Sequence, residues 1–189
     1  MAVPSPRSLV QPWTDLTPEE KRARLLDAAA EVLSRDGIDA PMPAIAAAAG
    51  IGIGSVYRQF ASKDDLVAAL VIERIVWTTE EAEAALEADS AWEALVALMR
   101  TMVERQIADD LMSEATARTS DRPDVSERLD ACSAAIARLL AKARAEGTLR
   151  ADATIEDVYL VFAGARAGEQ RLPGGARRML ELLVDALRA

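Results

Sequence analysis

Residues 50–60 read Gly50-Ile51-Gly52-Ile53-Gly54-Ser55-Val56-Tyr57-Arg58-Gln59-Phe60, between an alanine run and the stretch Ala61-Ser62-Lys63-Asp64-Asp65. Val56, Tyr57 and Phe60 share a helical face, so the segment reads as a short helix over about 54–60, with Gly52 where a capping residue belongs. Glycine at 52 and 54 lets the backbone come close to another molecule, and the free amides of a helix N-terminus favour an anion. A nucleotide loop is the competing explanation. It fails, because neither G-x-G-x-x-G nor G-x-x-x-x-G-K-[ST] is completed and no strand precedes the stretch. A DNA phosphate suits better, with Ser55 and Arg58 facing base edges.

Working outward, Pro43 opens a preceding helix whose Ile45 and alanines run into Gly50. Before it, Thr17-Pro18-Glu19-Glu20 supplies a capping hydroxyl, a proline at the first helical position and a glutamate at the third, a capping box that starts a helix at Pro18. Leu25, Leu26, Ala29, Val32 and Leu33 recur at helical spacing, and Gly37 is read as the left-handed residue that ends this helix. Two short helices split by a glycine turn, behind a longer one, make a helix-turn-helix pattern.

Downstream, Ser62 and Asp65 cap a helix from Lys63 towards Leu86, and Ser90-Ala91-Trp92-Glu93 caps another to about Ile107. Residues 108–123 read as a short helix plus a loop. Asp124 is the expected cap of a helix to about Glu146, Thr154 of one to about Gly168, and a last helix follows Pro173-Gly174-Gly175. The fold class is all-α.

The helix from Pro18, followed by Ala44 to Leu70, resembles the DNA-binding domain of the TetR family of bacterial transcriptional regulators. The residues that carry the likeness are Ile45-Ala46, Ala49-Gly50, Tyr57, Phe60, Lys63 and Leu66. Residues 1–16 contain prolines and read as a flexible arm, and the resemblance implies a DNA-binding domain over 17–63 and a ligand-binding and dimerisation domain over 64–189. It places the DNA-facing set at Met42, Pro43, Gly52, Ile53, Gly54, Ser55, Tyr57, Arg58 and Lys63. Tyr57 has core as its alternative, but its hydroxyl and the resemblance favour phosphate contact. Lys63 stands at a helix start, where the macrodipole disfavours a cation unless a phosphate lies beside it. Members of the family usually carry Ser or Thr where this chain has Gly52, and a polar first turn where it has Met42-Pro43-Ala44, so fewer contacts to DNA are on offer.

Composition narrows function further. The 189 residues contain no histidine and one cysteine, Cys132, which removes a Ser-His-Asp triad, the usual His/Cys metal sets and an internal disulfide. No catalytic residue, metal or cofactor is expected, and a lone thiol fits a reducing cytoplasm. The uncharged run from Ala40 to Tyr57 contains two prolines and three glycines and is rich in alanine, which argues against a membrane helix. The first sixteen residues lack an apolar core of signal-peptide length. Residues 1–63 carry seven Lys/Arg and seven Asp/Glu, so the net charge of -9 lies entirely beyond them. An acidic body repels DNA at large and leaves binding to the neutral head.

One short helix reads too few bases, so a homodimer through the last two helices is expected, with recognition helices about 34 Å apart. Its proposed faces are Leu160, Gly164, Ala167 and Gly168 on one helix and Leu180, Leu183, Val184 and Leu187 on the other, with packing inside one chain as the alternative. The sensor set is Trp92, Leu95, Met99, Met102 and Gln106 at one helical spacing, Met112, and Tyr159, Phe162 and Arg166. Methionine and aromatic residues among a few polar groups suit an adaptable pocket, though such stripes also make plain core. Arg166 favours a ligand with an acceptor, with an ion pair to Glu169 or Glu156 as its alternative. The reading is a repressor released from operator DNA by a small-molecule effector. A helical binding module with a degenerate DNA head is the rival, and an all-α enzyme using paired carboxylates is a more distant one.

Overall fold

The computed structural model describes residues 12–108 and 111–189. Most of the arm expected over 1–16 lies outside the described residues, and the rest holds a 3-10 turn at Trp13–Asp15. The described helices are α1 Pro18–Asp36, α2 Met42–Ala49, α3 Ile53–Gln59, α4 Lys63–Ala85, α5 Ala91–Ala108, α6 Leu111–Thr119, α7 Pro123–Ala145, α8 Ile155–Arg171 and α9 Gly175–Leu187. The chain forms two compact units, one ending at Leu70 and the other running from Val71 to Ala189, and the boundary falls inside α4.

Local signals set most helix ends. Thr17 Oγ1 accepts the Glu20 amide at 3.2 Å while the Thr17 amide donates to Glu20 Oε2 at 2.7 Å, so two orphan donors of α1 are satisfied. Ser62 Oγ accepts the Asp65 amide at 3.1 Å, Ser90 Oγ accepts that of Glu93 at 3.3 Å, and the Thr154 amide donates to Asp157 Oδ2 at 2.7 Å.

Two expectations need correction. Gly37 has φ +86° but ψ 164°, an extended residue with positive φ rather than a left-handed helical one; that role belongs to Gly50, at φ 71° and ψ 33°. Asp124 does not cap α7. Pro123 takes the first helical position because it has no N–H to lose there, which makes Arg122 the cap residue, and Asp124 holds Arg122 at 3.1 Å.

In the first unit α1 packs on α2 and α2 on α3. Val56 and Phe60 are buried with Leu25, Val32, Leu33 and Ile45, and the Arg22 guanidinium lies 4.6 Å from the centre of the Phe60 ring. Burial of this kind holds a seven-residue helix that would not persist alone.

In the second unit α5 packs on α7, α8 and α9, and α8 lies along α9. The α8–α9 approach depends on glycine: a Cβ on Gly168 would stand 2.8 Å from Gly175 O, and one on Gly164 3.2 Å from Met179 Cγ. Leu180 and Leu187 are buried in this unit's core, with Leu183 and Val184 packed against it. This corrects the assignment of Leu180 and Leu187 to a dimer face; Leu183, Val184 and Gly164 remain half-buried. The face of α9 that carries Leu180 and Leu187 is consumed by the unit's own α5 and α8.

Along α7 and at its C-terminal cap, residues four apart secure the turn between α4 and α5. Arg138 pairs with Glu83 at 2.7 Å, Lys142 Nζ donates to Leu86 O at 2.6 Å and Ala88 O at 2.8 Å, and Glu146 Oε2 accepts the Ala91 amide at 2.9 Å. A cation meets the carbonyls after α4 and a carboxylate the amide that starts α5, each complementing a helix dipole.

Candidate DNA interface and effector cavity

The head turns one face of α3 outward. Glycine at Gly52 leaves the N-terminal amides of α3 without a side-chain cap, and nothing lies within 4 Å of where a Cβ on Gly52 or Gly54 would be. Backbone can therefore approach a flat surface or groove here. Ile53 is exposed, and Tyr57 is 52% exposed while Val56 beside it is fully buried, which settles Tyr57 as a surface residue. Arg58 Nη2 donates to Ser55 Oγ at 2.9 Å, so the two residues assigned to base edges are already held together one turn apart. Lys63, half-buried, opens α4 next to Asp64 and Asp65. Met42, placed in the DNA-facing set, is instead 6% exposed in the core of the head, because α2 begins at Met42 and turns it towards α1; Pro43 is on the surface.

The second unit divides the sensor set. Met102, Gln106, Met112 and Phe162 line a cavity of about 450 Å³ together with Arg74, Ser113, Thr116 and Ala117. Gln106 also borders a smaller cavity of about 170 Å³, with Arg166, Glu169 and Val103. Trp92, Leu95 and Met99 are packed in the core with Ile136, Leu139 and Val158 and line neither. Tyr159 is 49% exposed and shares a hydrogen bond of 2.6 Å with Ser133 Oγ, also away from both cavities. The C-terminal half of α5 thus meets space where the N-terminal half meets side chains.

Arg74, Ser113 and Thr116 were not anticipated. Arg74 carried a faint signal, since Glu73-Arg74 interrupts the apolar run from Leu66 to Trp77, and a charge there needs an aqueous or polar outlet. The two hydroxyls sit in a nine-residue helix whose periodicity is too short to assign a face. Arg105, adjacent to Gln106, stacks 3.5 Å from the Trp77 ring centre, and Arg74 lies 6.0 Å from the same ring.

Burial pushes the Cys132 thiol above its ordinary pKa, which disfavours the thiolate. Among the described residues no group of three or more His, Cys, Asp or Glu is placed to hold a metal, and no helix is long and apolar enough to cross a membrane.

The family model for bacterial regulatory proteins of the tetR family matches residues 25–70, and that for the C-terminal domain of SbtR-like transcriptional regulators matches residues 90–189. The chain belongs to the TetR family. As a TetR-family chain it is a transcriptional regulator rather than an enzyme, all-α with an N-terminal helix-turn-helix. The crystal structure of a TetR transcription regulatory protein from Mycobacterium vanbaalenii is 29% identical over 89% of this chain and 95% of that one, with a TM-score of 0.67. That of a TetR regulator from Streptomyces coelicolor is 28% identical over 88% and 98%, with a TM-score of 0.68. The fold is also that of the Bacillus subtilis regulator FadR, solved in complex with stearoyl-CoA, at 19% identity over 86% and 97% and a TM-score of 0.64.

Proposed function

We propose that this TetR-family regulator is a cytoplasmic, homodimeric repressor released from its operator by a small molecule bound among α4, α5, α6 and α8. The observation that carries the reading is the position of Arg74. It lines the larger cavity from α4, the same continuous helix that begins at Lys63, directly after α3. A ligand pressing on Arg74 acts on the helix that presents Lys63 to a phosphate. Tyr57 joins Lys63 in phosphate contact, while Ser55, Arg58 and Ile53 read bases. Met102, Gln106, Met112 and Phe162 hold the effector, and Arg166 lines the smaller cavity that shares Gln106.

Dimerisation rests on the outward face of the last two helices. Leu160 is 63% exposed, and Leu172 and Leu182 are about half exposed. Large apolar side chains exposed on α8, at its C-terminal cap and on α9 need a partner more than scattered ones do. A coupling of about 1 to 3 kcal/mol between effector and operator would weaken DNA binding roughly 5- to 150-fold.

The test is fluorescence anisotropy on DNA from upstream of the chain's own gene, with and without compounds co-purified with the protein and identified by mass spectrometry. The expected result is saturable binding of two chains per site, reversed by one of those compounds. A chain that selects no sequence from a random duplex pool would instead be a helical binding module with a degenerate head. Compounds that occupy the cavity and leave operator affinity unchanged would remove the sensor role.

A further inference from the structure

Among the described residues of the first unit, the exposed large hydrophobics are Ile53 and Tyr57, one turn apart on the seven-residue α3. The other apolar residues of this segment are inside: Val56 is fully buried, and Phe60, at the C-terminal cap, is buried too. Those two fix the rotation of α3, which leaves Ile53 on the surface. Nothing lies within 4 Å of where a Cβ on Gly52 or Gly54 would stand, so Ile53 sits between two residues with no side chain to shield it. With Gly54 bare and Val56 buried, the first turn of α3 offers another molecule only the side chains of Ile53 and Ser55, and Ser55 Oγ already accepts from Arg58 Nη2 at 2.9 Å.

In a helix-turn-helix it is the N-terminal part of the second helix that reaches base edges in the major groove. Isoleucine carries neither donor nor acceptor, so it reads no base by hydrogen bonding. The base edges of that groove present one apolar group, the C5-methyl of thymine. We propose that Ile53 is a specificity-determining residue that packs on a thymine methyl, so that each operator half-site carries a T·A pair where Ile53 meets it. The contact takes apolar surface of both partners out of water, which a cytosine or a purine at that place does not repay. The inference rests on the reading of α3 as the helix that meets bases, and the experiment keeps the two apart.

The probe is a duplex selected by the full chain from a random pool, with each thymine replaced in turn by deoxyuridine, which deletes the methyl group and keeps the pairing edge. Fluorescence anisotropy should find a position in each half-site at which the replacement weakens binding about fourfold, the worth of one buried methyl group. Ile53→Ala changes a surface residue and should keep wild-type helicity. It should bind the thymine and deoxyuridine duplexes alike at that position, while still discriminating at the base pair read by Arg58. A scan that is flat in wild type overturns the thymine inference, and so does a sensitive position that stays sensitive in Ile53→Ala. In either case, relaxed specificity of Arg58→Ala leaves α3 standing as the base-reading helix. Failure of wild type to select any sequence overturns both.

Discussion

The two halves of α5 carry side chains of the same kind at the same spacing and meet opposite surroundings. Trp92, Leu95 and Met99 pack against α7 and α8 residues with no room left, whereas Met102 and Gln106, further along the same stripe, face a cavity. Periodicity establishes that a face is apolar. What lies across from it depends on the partner helices, and here α6 stands where a closed core would need more bulk. Methionine serves both settings because its flexible, polarisable chain fills a gap or forms a yielding wall equally well.

The sharpest way to break this contrast is truncation at its two sides. Met99→Ala empties a packed site and should destabilise by about 2 to 5 kcal/mol in chemical denaturation. Met102→Ala removes a wall that already faces space and should cost well under about 2 kcal/mol. Equal losses would mean the cavity closes in solution.

The next largest effects extend the inner-versus-outer contrast to α8 and α9. Gly164→Leu drives bulk into Met179 and Leu183 of the same chain, and overpacking of that kind costs roughly 1 to 3 kcal/mol. Its dimer content should not change. Leu182→Asp, on the exposed face, should instead raise the monomer fraction in light scattering with helicity and stability retained. If Gly164→Leu alone dissociates the dimer, the interface runs through the inner face after all.

On α3 the contrast is between buried Val56 and exposed Arg58. Arg58→Ala should relax discrimination at one base pair per half-site by about 1 to 3 kcal/mol, measured by anisotropy on mutated operators. Lys63→Ala should weaken all sequences alike and flatten the salt dependence by about one unit of slope. Identical behaviour of the two variants would erase the division between base reading and phosphate contact.

The smallest effect belongs to a signal confined to one turn. Thr17→Ala removes the hydroxyl that accepts the Glu20 amide and should cost about 1 kcal/mol, read as a lowered denaturation midpoint. That it can be stated without reference to any other helix is itself informative.

Such one-turn signals are what the sequence by itself determined. Thr17 with Glu20, Ser62 with Asp65 and Thr154 with Asp157 act across three residues, so helix starts were legible within a residue or two, and the family likeness followed from residues spaced within α2, α3 and the start of α4. Where two local signals competed, as with Asp124 against Pro123, only the folded backbone chose between them, because a cap needs its residue outside the helix and proline at the first position put Asp124 inside. Burial was decided at longer range. Leu180 and Leu187 of α9 turned inward, Met42 of α2 turned into the head, and the Gln106 oxygen lost its water without gaining a partner among the described residues, all through packing against other helices. An amphipathic stripe states how much of a helix must leave water; which part meets a neighbour, a cavity or a second chain is a property of packing between elements, and no pattern within one element contains it.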